Sequence, residues 1–161
     1  MNSNKNEKGF SLVELLVVVI IIAIVAAIAI PNLLASRRAA NEASAISALR
    51  TIHSAEITYF STSGGNSDYG TMADLGTVGL IDGTLAAATT SAAAKSGYFY
   101  TASLIASTSD GYCTTATPAS TTQGTRIFAV STPGVIFTSA ANGSSPPTCT
   151  AGVITGTTAI Q

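Results

Sequence analysis

Residues 10–30 read FSLVELLVVVIIIAIVAAIAI, an apolar run interrupted by a single acid, Glu14. As a helix rising 1.5 Å per residue, these 21 residues span roughly 31 Å, the thickness of a bilayer's hydrocarbon core. A charged side chain at the bilayer centre costs ~2.5–3.5 kcal/mol on insertion scales, so an ionisable residue inside such a run is a functional hypothesis by default. The natural partner of Glu14 is a positive charge. Cutting the chain between Gly9 and Phe10 creates one, the new α-amino group on Phe10, one helical turn away. In a stack of identical helices, the carboxylate of one subunit can equally neutralise the amine of its neighbour.

Gly9, Phe10 and Glu14 follow a short polar leader, MNSNKNEKG, with Lys5 and Lys8 before the junction. This arrangement resembles the N-terminal signature of type IV pilins and of their relatives, the type II secretion pseudopilins. The resemblance implies that a prepilin peptidase cleaves after Gly9, that the new N-terminal Phe10 is methylated, and that Glu14 is the acid of the assembly salt bridge. Pro31 falls where such pilins usually have a proline, and PNLLASRRAANEASAISALRTI is similar to the family's continuing helix. The likeness is tight over about the first 62 residues and loose beyond them. It implies an α+β fold, with a long, partly transmembrane N-terminal helix packed on a small antiparallel β-sheet. The expected division is a leader at 1–9, a transmembrane and assembly helix at 10–30, its continuation at 31–62, and a β-rich globular domain at 63–161.

Ordinary secretory cleavage is the competing reading of the apolar run, because Ala27-Ile28-Ala29 forms an A-x-A pattern. Against it, the run is longer than a usual signal core, Glu14 interrupts it, and helical sequence continues past Pro31. Leader lysines, with no further positive charge until Arg37, predict a cytoplasmic N-terminus and an exported remainder. The expected location is therefore a single pass through the inner membrane before assembly and an extracellular pilus after it.

The chain's 161 residues allow one domain beside the apolar segment. Formal charge is −1, and removing residues 1–9 leaves five basic and seven acidic side chains. That is no basic footprint, so no nucleic-acid partner is indicated.

Between Asn32 and Thr62 there is no Gly or Pro, which predicts one helix from about Phe10 to Ser61. Ile46, Leu49, Ile52, Ile57 and Phe60 continue an apolar stripe, while Arg37, Arg38, Glu42, Arg50 and Glu56 are read as restoring solubility. Pro31 lacks a donor and crowds the Ala27 carbonyl, so a kink is expected there. Ala23, Ala27, Ala35, Ala39 and Ala43 recur at four-residue spacing. They form either flat faces for close helix approach or simply good helix.

After Ser61 the composition changes: STSGGNSDYG is a turn-rich linker, and 34 of the last 101 residues are Ser or Thr. One helical turn is expected at Thr71–Leu75 and a partly helical loop over Leu80–Ala94. Strands are expected at Tyr98–Ser103, Tyr112–Thr117, Arg126–Ser131, Val135–Ser139 and, more weakly, Gly152–Thr157. Thr132-Pro133-Gly134 suits a tight turn between two of them.

Cys113 and Cys149 are the two cysteines. In an exported domain they most simply pair, similar to the C-terminal disulfide of many pilins. Two free thiols or a metal site are the alternatives, but with His53 as the lone histidine a four-ligand zinc site is unattractive.

No G-x-S-x-G elbow, paired-acid motif, P-loop or dinucleotide fingerprint occurs, so neither an enzyme nor a cofactor is expected. His53 reads as a helical histidine rather than a base. Asp68, Asp74, Asp82 and Asp110 offer loop carboxylates for calcium, yet no ligand set matches residue by residue. The reading is a structural subunit of a type IV pilus, with self, a prepilin peptidase, the inner-membrane assembly machinery and, before assembly, the lipid bilayer as partners. A type II secretion pseudopilin and a membrane-anchored exported binding domain that never polymerises are its rivals.

Overall fold

The computed structural model describes residues 9–104, 111–140, 147–150, 153–155 and 158–160. The chain divides into two compact units, the stretch up to Ser36 and the stretch from Arg37 onward.

A single helix, α1 (Leu12–Ser61), runs unbroken through Pro31. Its alanine-rich second half is built from strong helix formers. The hydroxyls of Thr51 and Thr58 donate to the carbonyls of Ser47 and Ser54, so these polar side chains are satisfied within the helix. The helix ends where Gly64 N–H returns to the Tyr59 carbonyl and Asn66 N–H to that of Phe60. Gly65 and Asn66 then take positive φ, which reverses the chain.

Two short helices follow, α2 (Met72–Thr77) and α3 (Gly83–Ala87), then a 3-10 turn at Ser91–Ala93. Thr71 and Asp74 form a reciprocal capping box on α2, and the Asp82 carboxylate caps α3 through Leu85 N–H. The expected helical turn after the linker is therefore present, and the loop over Leu80–Ala94 is partly helical.

The sheet comprises β1 (Tyr98–Leu104), β2 (Tyr112–Pro118), β3 (Arg126–Ser131), β4 (Ile136–Ala140) and β7 (Thr158–Ile160), antiparallel in that order. A separate hairpin pairs β5 (Thr148–Thr150) with β6 (Val153–Thr155). The α+β fold is as expected from the sequence. The four longer strands match their expected positions to within a residue or so at each end. The tail closes the sheet, because β7 pairs with β4 from Ile136↔Ile160 to Thr138↔Thr158. Strand β5 has no counterpart in the sequence reading, since TCT carries no alternation.

The main core lies between the second half of α1 and one sheet face. Ala45, Leu49, Ile52 and Ala55 from the helix meet Tyr98, Tyr100, Tyr112, Ala116, Phe128 and Val130 from the sheet. On the other face Cys113 and Ala129 are covered by Ile154 of β6. With both faces covered, β2 and β3 are buried almost continuously rather than alternately.

Two sequence expectations for α1 fail here. Glu42 and Glu56, read as solubilising, are 6% and 0% exposed. Ile57, read as part of the apolar stripe, is exposed, because the buried face runs through Ala45, Leu49, Ile52 and Ala55–Glu56.

Candidate functional site

At the start of α1 the chain places Gly9 and Phe10 outside the helix, with Phe10 exposed. Ser11 stands at the cap. Its hydroxyl accepts from Val13 N–H at 3.4 Å, and Glu14 Oε2 accepts from Ser11 N–H at 2.8 Å. The Ser11 hydroxyl thus caps the second helical N–H while Glu14 reaches back to the cap N–H, and a carboxylate sits at the positive end of the helix dipole. Glu14 is thus not a stranded charge in the isolated chain, since it holds the backbone beside the Gly9-Phe10 junction. Sequence reasoning missed this role, although Ser11-Leu12-Val13-Glu14 is a legible S-x-x-E signal.

Beyond the cap, the apolar side chains from Leu12 to Leu34 are exposed, including Ile20 to Ile22, Ile28 and Ile30. The helix is long and apolar enough to cross a membrane. At Pro31 the helix loses one donor, and Asn32 Nδ2 donates to the Ile28 carbonyl at 3.2 Å.

His53 Nδ1 is hydrogen-bonded to the Tyr112 hydroxyl, and burial lowers its pKa, which suits a neutral packed imidazole. Among the described residues no group of three or more His, Cys, Asp or Glu could hold a metal. Asp74 and Asp82 are spent as helix caps, and Asp82 also pairs with Lys95 at 2.6 Å. Asp110 lies outside the described residues. Two clefts of about 390 and 410 Å³ flank Arg50, one lined by Ile46 and Ile136, the other by Ser47 and Thr58. Neither brings a nucleophile to a base. Cys113 is buried on β2, while Cys149 pairs in register with Ile154, the residue that packs near Cys113.

Residues 4–30 match the family described as the prokaryotic N-terminal methylation motif. The chain is also similar to the type IV wide pilus major component PilA4 of Thermus thermophilus, 53% identical over 38 residues. That match covers 24% of this chain and 29% of the relative's length. No solved structure matches. Over its N-terminal segment the chain carries the prokaryotic N-terminal methylation motif and is similar to a type IV wide pilus major component.

Proposed function

We propose that the chain is a prepilin that becomes the structural subunit of a type IV pilus filament. A prepilin peptidase cleaves after Gly9, Phe10 is N-methylated, and Phe10–Ile30 anchors the mature chain in the inner membrane with its globular domain outside the cytoplasm. The assembly machinery then transfers it from the bilayer into a homopolymer. The observation that carries this reading is the exposed apolar face of α1 from Leu12 to Leu34, with one acid at its start. A contiguous apolar surface of this kind marks a membrane or protein contact. In the polymer, helices exchange lipid for one another. Glu14 Oε2 serves its own cap, which leaves Oε1 for the Phe10 amine of an adjoining subunit. Pairing offsets the penalty of an uncompensated carboxylate in an apolar bundle and selects the stagger that brings acid to amine. Pro31 supplies a weak point where the helix bends or loses helicity on assembly.

The same reading pairs Cys113 with Cys149, which pins the β5–β6 hairpin against β2. The placement of Cys149 opposite Ile154, whose side chain packs near Cys113, supports this.

Shearing cells that express the chain tests the proposal. The chain should appear in long extracellular fibres, and a Glu14→Val variant should insert and be processed yet yield few or none. A processed chain that never leaves the membrane fraction would contradict it.

A further inference from the structure

Glu56 is the most deeply buried acid among the described residues, at 0% exposure on the next-to-last turn of α1. Its Oε2 accepts one hydrogen bond, from Gly70 N–H at 2.9 Å, and its Oε1 has no partner. From α2, Asp74 adds a like charge. From β2, Tyr112 bears on it electrostatically, with its phenol bonded to His53 one turn earlier on α1. Tyr69, from the turn after α1, stacks on Phe60 and leans on Tyr112. No cation serves Glu56, since the ion pairs among the described residues are Lys95–Asp82 and Arg126–Glu42.

Gly70 is where the turn is fastened. A Cβ there would meet the Leu75 side chain at 3.2 Å and the Tyr59 ring at 3.3 Å, so the backbone is pressed between them. The next residue, Thr71, opens α2 with its capping box. The Glu56–Gly70 bond therefore ties both the 62–71 turn and the start of α2 to α1.

We propose that Glu56 works as a pH-operated clasp, holding the 62–71 turn on α1 while its carboxyl is neutral and releasing it when the carboxyl ionises. An ionised Glu56 has one donor, an orphaned oxygen and Asp74 nearby, which leaves its charge uncompensated. Moving the carboxylate into water relieves that cost and breaks the Gly70 bond. Burial, and then the Asp74 charge, raise the carboxyl to about 7 despite the Gly70 bond. The stabilisation is therefore fully present below the ordinary carboxylate range and is lost as pH rises through about 7. His53 runs in the opposite sense: burial lowers its pKa, so its contribution is lost as pH falls below the ordinary histidine range. Every group involved lies in the globular unit, so the clasp does not depend on polymerisation.

The test is nuclear magnetic resonance of the full chain in detergent micelles, labelled with ¹⁵N-glycine, titrated from about pH 5.5 to about pH 8.5. In the wild type the Gly70 amide should shift with a midpoint near 7. Its protection from exchange, corrected for intrinsic rate, should fall by up to roughly tenfold per pH unit from the ordinary carboxylate range up to that midpoint and level off above it. In Glu56→Gln both changes should vanish. Asp74→Asn, which keeps Glu56 but removes its like-charged neighbour, should lower the midpoint. A Gly70 amide that stays fixed in the wild type, titrates unchanged in Glu56→Gln, or keeps its midpoint in Asp74→Asn would overturn the proposal.

Discussion

Glu42 on α1 and Arg126 at the head of β3 lie 84 positions apart in sequence, yet their charged groups meet at 2.7 Å. The same carboxylate accepts from Thr125 N–H and the Thr125 hydroxyl, both at 3.0 Å, and the neighbouring Asn41 amide donates to the Gln123 carbonyl. This cluster fastens the helix to the β2–β3 connection at one end of the core. Burial works to raise the Glu42 pKa, but the Thr125 and Arg126 hydrogen bonds and the Arg126 charge prevail and hold it below its ordinary value. Its stabilisation is thus present above the ordinary carboxylate range and is lost as pH falls through the lowered value. Glu42→Ala should cost about 2–3 kcal/mol near neutral pH, less than breaking a fully buried pair because Arg126 is half exposed. Thermal melts from about pH 3 to pH 7 should show the gap between wild type and Glu42→Ala narrowing towards acid. A gap independent of pH would contradict this assignment.

The buried face of α1 separates Leu49 from Ile57, which are 0% and 44% exposed. Leu49→Ala should destabilise by about 2–5 kcal/mol through lost burial and a residual cavity. Ile57→Ala should cost about 0.5 kcal/mol or less. Denaturant unfolding of the two variants measures the difference, and equal costs would mean the helix presents another face.

Gly134 has φ +76° after the Ser131–Pro133 turn, and a Cβ on it would lie 2.7 Å from His53 Nε2. Gly134→Ala should therefore cost about 1–3 kcal/mol from backbone strain, with a clash in addition. It should also displace His53 from Tyr112, visible as a change in the histidine's titration. A neutral substitution with an unchanged histidine would show that the turn is looser than described.

The proposed pairing of Cys113 with Cys149 makes a mass prediction. Intact chain prepared without reductant should weigh two hydrogens less than reduced chain, and reduction should lower stability by about 2–5 kcal/mol. Free thiols that label at both Cys113 and Cys149 without reductant would refute the pairing.

Glu14→Gln separates the two roles of that acid. Glutamine can still accept from Ser11 N–H and so retains the helix cap, but it carries no charge for a Phe10 amine. Membrane insertion and leader removal should be normal, with fibre yield sharply reduced. Full fibre yield from this variant would show that the cap alone matters.

Much of this molecule was legible in its sequence, for reasons that vary with position. The apolar run announced α1 because composition and length act locally, and β3 was legible because RIFAVS is bounded by a Gly-Thr pair and a turn. Glu42 and Glu56 were misread because their partners, Arg126 and Gly70, are brought to them only by the fold, and a charge in a helical sequence ordinarily faces water. Strand β5 gave no sign because TCT becomes a strand only through its pairing with β6. The Ser11–Glu14 cap was readable as well, since S-x-x-E places both polar side chains on the first helical turn.

The most direct test is mass spectrometry of the N-terminal peptide from sheared extracellular fibres. The N-terminal peptide should begin at Phe10 and carry an N-methyl group. Fibres whose subunits keep residues 1–9, or begin at Ile30, would contradict it.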